Sequence, residues 1–274
     1  MSAMKTTVRT LLAALGLTAA LCAPALAATC GDNAAGFPAW LEEFKGEARA
    51  QGISQGTIQS ALGGVSYDKK VIGLDRNQKS FKLSLDQFME RRAPASFVKK
   101  GKGIIAQNAG MLNSIEQRYG VQKEVLVAIW GMETGFGANS GDMNIFRSLA
   151  TLSYDCRRSD FFTEELLAAL QIVERGDKRA ADMRGAWAGE IGQTQFLAKN
   201  YLRSAVDGDG DGRRDLIRSK ADVLASTANF LQQHGWVAGA GYGPGEPNYP
   251  VFREWNRAGV YQQALSLFAS KLAN

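Results

Sequence analysis

The chain has one histidine, His234, and three cysteines among 274 residues. That poverty removes whole classes of chemistry. A catalytic zinc site draws on clustered His and Cys ligands, and a Ser-His-Asp triad needs a histidine beside its nucleophile. His234 lies in QQHGW, where it reads as a residue at a helix C-terminus rather than a base. Charge of one sign is also lacking: 32 Lys and Arg face 27 Asp and Glu, a net +5. No basic stripe with interleaved aromatics occurs, so nucleic acid is not an expected partner. Mild basicity suits weak attraction to anionic polymers such as cell-wall material. Internal repeats and low-complexity linkers are absent, and the length fits one domain.

Only one long apolar run exists. LLAALGLTAALCAPALA follows Lys5 and Arg9 and ends in Ala25-Leu26-Ala27. A charged start, a short apolar stretch and a small-x-small end make residues 1–27 a secretory signal peptide cleaved after Ala27. The run is too short for a stable membrane anchor. Thr29 before Cys30 and Leu21 before Cys22 do not suit a lipidated Cys. The expected location is the periplasm. Cys22 leaves with the signal, so Cys30 and Cys156 remain, an even number in an oxidising compartment, and are expected to form a disulfide.

The rest, 28–274, reads as mainly α. Helical periodicity runs over 40–54, 57–65, 85–92, 96–120, 163–176, 220–235 and 260–273, and 122–133 is apolar nearly all round, as a buried helix is. Strand signals are few. AGEIGQTQF, 188–196, suits an extended or irregular segment, and VAGAGYGPGEPNYP, 237–250, is a Gly/Pro connection.

Two stretches carry chemistry. Glu133 closes the apolar run VLVAIWGM and precedes TGFG. Desolvation there raises a carboxyl's pKa, and a neutral carboxylic acid is what protonates a glycosidic leaving oxygen. The alternative is a solvated acid at a helix end. The second stretch is AVDGDGDGRRDLIRSKAD, 205–222. Asp207, Asp209, Asp211 and Gly212 fall at positions one, three, five and six of a calcium loop, but position twelve is Arg218 instead of a bidentate Glu. Ser219 to Asp222 also fits a capping box opening the next helix.

The blocks VLVAIWGMETGFG, LATLSYDCRRSDFF, GAWAGEIGQTQF, AVDGDGDGRRDL and ANFLQQHGW occur in that order. Together the series closely resembles the lytic murein transglycosylase B family. The resemblance spans nearly all of the chain after residue 27. It implies a lysozyme-like catalytic domain with helical extensions: an N-terminal helical lobe over 28–110, a catalytic core over 111–236, and a loop and helix over 237–274 that close the cleft.

It also implies an activity. Such enzymes cut the β-1,4 bond between N-acetylmuramic acid (MurNAc) and N-acetylglucosamine (GlcNAc) in peptidoglycan without water. One Glu acts first as acid and then as base on the muramyl C6 hydroxyl, giving a 1,6-anhydro end. Glu133 matches that residue. Gln193 and Gln195 match a cleft-lining block that binds sugar hydroxyls and acetamides; for either one alone, satisfying backbone groups of an irregular segment is an equal alternative. Ala186 and Gln193 stand where a well-known member has Ser and Tyr. Glu190 replaces a small apolar residue and either raises the Glu133 pKa by like-charge repulsion or forms a salt bridge. Arg157 and Arg158 match paired arginines that suit a lactyl or stem-peptide carboxylate, with a surface salt bridge the favoured alternative for one of the two. EWNRAGVY resembles a family signature in which Asn256 and Tyr261 border the cleft, with Trp255 as a stacking platform, although the spacing of Tyr261, Leu265 and Phe268 fits helix core equally well. The acidic loop matches an EF-hand-like site for structural calcium or sodium. Its ligands would be Asp207, Asp209, Asp211, the Arg213 carbonyl and Asp222, with Asp215 as an alternative. No cofactor is needed for catalysis, and the expected partner is the glycan strand, met by a monomer. A hydrolytic muramidase using the same Glu and a non-catalytic, calcium-dependent wall-binding protein are the competing readings.

Overall fold

The computed structural model describes residues 29–77 and 83–274, so the expected signal peptide lies outside the described residues. Thirteen α-helices, two short 3-10 helices and one antiparallel pair of two-residue strands are the regular elements among the described residues. None of these helices is long and apolar enough to cross a membrane.

The centre is α7 (Lys123–Thr134), in which every residue from Val125 to Met132 is buried. The all-round apolar sequence thus reports an all-round packed helix. Against it lie α4 (Leu85–Arg92), α5 (Ala95–Gln107), α6 (Ala109–Tyr119), α11 (Lys220–Gln233) and α13 (Gly259–Ala273). A second pair, α8 (Ile145–Tyr154) and α9 (Ser159–Glu174), packs on α1 (Phe37–Ala50), α2 (Gln55–Leu62), α3 (Lys69–Arg76) and α10 (Ala198–Ser204). The segment 28–110 is therefore shared between two sides of the molecule: α1–α3 rest on α8 and α9, whereas α4 and α5 rest on α7 and α13. Cys30 and Cys156 are disulfide-bonded, and Gly31 pairs with Asp155 beside the bond. The segment at residues 30–31 is thereby fixed to the end of α8.

Local chemistry sets the boundaries. Ser84 and Gln87 form a reciprocal capping box that opens α4. Asp68 caps α3 through the Lys70 and Val71 amides, and Asn144 caps α8 through the Arg147 amide. The continuous period over 96–120 holds two helices, not one. Asn108 leaves helical geometry (φ −118°, ψ 24°), and its side-chain amide donates to the Ile104 carbonyl at 2.8 Å. An Asn that bonds its own preceding turn offers the backbone an alternative to the helix. The expected irregular segment is a tight turn: β1 (Met143–Asn144) pairs with β2 (Arg184–Gly185), and Ile191 bridges to both Gly185 and Phe196. The connection over 237–250 is held by buried Asn248. Its Oδ1 accepts from the Val237 amide at 2.7 Å, and its Nδ2 donates to the Val237 and Ala240 carbonyls. A short α12 (Phe252–Trp255) follows.

Candidate active site

Glu133 sits in the last turn of α7. The chain reverses immediately after it, with Gly135 and Phe136 both left-handed (φ 64° and 65°). A bulky residue pays about 1–2 kcal/mol there. The Phe136 ring is held by Phe97 (5.3 Å) and Trp130 (5.9 Å), with the Lys100 ammonium 5.0 Å above it. The turn is closed by Thr134, whose hydroxyl accepts from the Gly137 amide at 2.9 Å.

Two donors converge on one oxygen of Glu133. Trp255 Nε1 donates to Oε1 at 3.0 Å and the Tyr261 hydroxyl donates to it at 2.6 Å. Burial pushes the Glu133 carboxyl above its ordinary range, against the pull of these two hydrogen bonds and of the Arg92 charge. Burial and the adjacent carboxylate push the Tyr261 phenol well up, so it stays a donor. With both donors on Oε1, a proton on Glu133 is directed to Oε2, the free end of the acid.

Glu133 lines a cleft of about 420 Å³ together with Arg92, Trp187, Glu190, Gln195, Trp255 and Asn256. Gln195 is also left-handed (φ 57°), and its Nε2 donates to Gly192 and Ser140 carbonyls at 2.8 and 3.2 Å. Asn256 Oδ1 accepts from the Ala258 amide at 3.0 Å, shaping the entry to α13. Glu190 Oε2 accepts from the Ala188 amide at 3.1 Å. Its carboxyl is raised first by burial, with the Glu133 charge adding and the Arg158 charge opposing. For Glu133 the dominant cause is burial rather than the like charge anticipated from Glu190.

The expectations for Gln193, Trp255 and the Arg157–Arg158 pair change. Gln193 does not line the cleft: its Oε1 accepts from Trp130 Nε1 at 3.0 Å and its Nε2 donates to the Ile217 carbonyl at 2.9 Å. That amide braces α7 against the acidic loop. Trp255 is a positioning group more than a stacking face, since its ring meets Phe196 and Phe230 edge-on at 5.4 and 5.2 Å while its nitrogen holds Glu133. Arg157 and Arg158 both pair with the buried Asp75 carboxylate. Burial alone would raise Asp75, but these guanidinium groups outweigh it and hold it below its ordinary value. Arg76 joins the cluster, donating to Asp155 at 2.7 and 3.0 Å. His234 ends α11, with its Nδ1 2.6 Å from the Phe230 carbonyl.

Trp187 and Arg92 are among the cleft residues that the sequence does not single out. Arg92 is the last residue of the helix LDQFMERR and forms no ion pair among the described residues.

The acidic loop divides its residues. Asp207, Asp209 and Asp211 have carboxylate oxygens within 4.8 Å of one another. Asp207 accepts from the Gly212 and Gly210 amides at 2.7 and 2.6 Å, and these bonds lower its pKa. None of the three forms an ion pair among the described residues. Three clustered, uncompensated carboxylates on a glycine turn fit a hard cation. Asp215 and Asp222 fall outside that cluster. Asp215 pairs with Lys178 and caps the turn through the Ile217 and Arg218 amides. Asp222 is buried and accepts from the Gly208 and Asp215 amides at 2.8 and 2.6 Å. It closes the loop through backbone. Ser219 still caps α11, but the reciprocal half of the box is absent because the Asp222 carboxyl is turned to the loop.

Residues 36–245 match the model of the Transglycosylase SLT domain. The chain belongs to this family. Over 159 residues it is 36% identical to the membrane-bound lytic murein transglycosylase B of Escherichia coli strain K12, a match spanning 55% of this chain and 44% of that protein. SltB3 from Pseudomonas aeruginosa, solved in complex with NAG-anhNAM-pentapeptide, is 32% identical with TM-score 0.82, covering 87% of this chain and 80% of that one. Its complex with NAG-NAM-pentapeptide gives TM-score 0.83. The fold is shared too with the Escherichia coli lytic transglycosylase Slt35 in complex with calcium, at 24% identity, TM-score 0.74, and 90% and 96% coverage. The matched transglycosylase SLT domain ends at 245, before both residues that hold the Glu133 carboxyl.

Proposed function

We propose that this protein is a periplasmic lytic transglycosylase that cuts the MurNAc–GlcNAc bond of peptidoglycan and leaves 1,6-anhydromuramyl ends. The observation that carries this reading is Glu133, a carboxyl with a raised pKa in a cleft, with Tyr261 and Trp255 both bonded to Oε1. The complexes of SltB3 with muropeptides support the substrate class.

Glu133 begins protonated on Oε2 and gives that proton to the glycosidic oxygen as the C1–O bond breaks. The resulting carboxylate is stabilised by Tyr261, Trp255 and the Arg92 charge. It then takes the proton of the muramyl C6 hydroxyl, whose oxygen bonds C1 and closes the anhydro ring. One carboxyl serves both steps because the first leaves it in the form the second needs. Gln195 and Asn256 border the substrate, and Trp187 offers the half-buried aromatic face. Asp207, Asp209 and Asp211 hold a calcium ion that braces the loop. The disulfide supports export to an oxidising compartment, where the protein acts as a monomer.

Digestion of purified murein tests the reading. The wild-type protein releases fragments with anhydromuramyl ends by mass spectrometry, and Glu133→Gln does not. Equal solubilisation by the variant would overturn the assignment.

A further inference from the structure

Closing an anhydro ring uses a hydroxyl already in the substrate and one carboxyl. Cutting the same bond with water needs a second group to take the water's proton. The cleft holds such a group that ring closure leaves unused. Glu190 lines it together with Glu133.

Its position is built into the turn. Ile191, the next residue, bridges to Gly185 and Phe196, and the Ala186 amide donates to the Glu190 carbonyl at 3.0 Å. The approach is so close that a Cβ on Gly185 would lie 1.9 Å from that carbonyl oxygen. The Ala188 amide holds the carboxyl itself at 3.1 Å. A group fixed at both backbone and side chain is preorganised for one task.

We propose that Glu190 is the general base of a second, hydrolytic outcome at the same glycosidic bond, an inference that rests on Glu133 being the acid. In that outcome Glu133 protonates the leaving oxygen as the C1–O bond breaks. A water oxygen bonds C1, and Glu190 takes the proton that the water loses. The product is a reducing muramyl end, with no net change of protonation once Glu190 passes its proton to solvent and Glu133 is reprotonated. Each carboxyl has a guanidinium within electrostatic reach, Arg92 for Glu133 and Arg158 for Glu190. A raised carboxylate is a stronger base, and the charge that Glu133 acquires on giving up its proton adds to the rise of Glu190.

Digestion of murein in ¹⁸O-water tests this. The wild-type protein yields unlabelled anhydro ends and reducing ends carrying one ¹⁸O at C1, after correction for exchange measured on finished products. In Glu190→Gln, which keeps an oxygen for the Ala188 amide, the ratio of labelled reducing ends to anhydro ends falls about 100-fold. Glu190→Asp retains part of it. Anhydro ends in the same digest certify a folded protein. An unchanged ratio in Glu190→Gln, or no labelled ends from wild type beside abundant anhydro ends, overturns the proposal. Failure of the wild type to cut murein, or undiminished cutting by Glu133→Gln, overturns the Glu133 reading and the proposal with it.

Discussion

The cleft and the acidic loop use the same functional group in opposite ways. In the cleft, carboxyls are withdrawn from water: burial raises Glu133 and Glu190 above their ordinary range, and the donors to Glu133 are side chains. In the loop, Asp207 is wrapped by backbone amides and its pKa is lowered. Carboxylates that stay ionised attract a cation, whereas a carboxyl kept neutral can give a proton away. The conspicuous DGDGDG fits a scaffold, and the proposed chemistry lies with the withdrawn carboxyls of the cleft.

The contrast breaks most sharply at Glu133. Glu133→Gln lowers murein solubilisation by about 10³-fold, the scale of a lost general acid. It also raises Tm at pH 7. The folded carboxyl keeps its proton to higher pH than the unfolded one, so wild-type stability falls as pH rises above the unfolded carboxyl range, and Gln removes that fall. A Tm–pH series on both proteins checks the sign. Next comes Tyr261→Phe. Losing one hydrogen bond to a charged group costs about 1.5–3 kcal/mol, or roughly 10- to 100-fold in rate. Because that bond lowers the Glu133 pKa, its loss moves the alkaline limb of the pH–rate profile to higher pH. A limb that moves to lower pH would contradict the geometry.

Smaller effects belong to the scaffold. Cys156→Ser opens a bond between residues separated by 126 positions and costs about 2–4 kcal/mol in denaturant unfolding. Chelation of calcium lowers Tm by about 2–4 °C for each 1 kcal/mol of binding free energy, and leaves the alkaline limb in place. Calorimetry on Asp209→Asn shows weakened calcium binding. Were chelation to shift the limb, loop and cleft would be one electrostatic unit and the contrast would dissolve.

Much of this was legible in the sequence, for identifiable reasons. The period of LDQFMERR gave α4 its observed limits, and the apolar run gave α7, because burial is written directly in side-chain type. The family blocks led to Glu133 and to the residues around Trp255 and Tyr261. What stayed hidden depends on partners far along the chain. Gln193 looked like a sugar ligand because nothing local shows that Trp130 and Ile217 consume its amide. The partner of the paired arginines was not identifiable because Asp75 lies some 80 residues upstream, in a helix whose short polar sequence gave no signal. Helix α8 went unread since its Ser, Thr and Tyr residues disguise a face buried almost throughout. The break at Asn108 is a choice between two local hydrogen-bonding patterns, and periodicity alone does not register it.

Both hydrogen bonds on Glu133 come from α12 and α13, the final helices of the chain. During synthesis the acid emerges more than a hundred residues before the groups that orient it. A chain truncated within 237–250 retains Glu133, the disulfide cysteines and the acidic loop, but lacks both donors to the Glu133 carboxyl. The two donors stand more than a hundred residues after the carboxyl they hold, so the Glu133 site is complete only when α12 and α13 are in place.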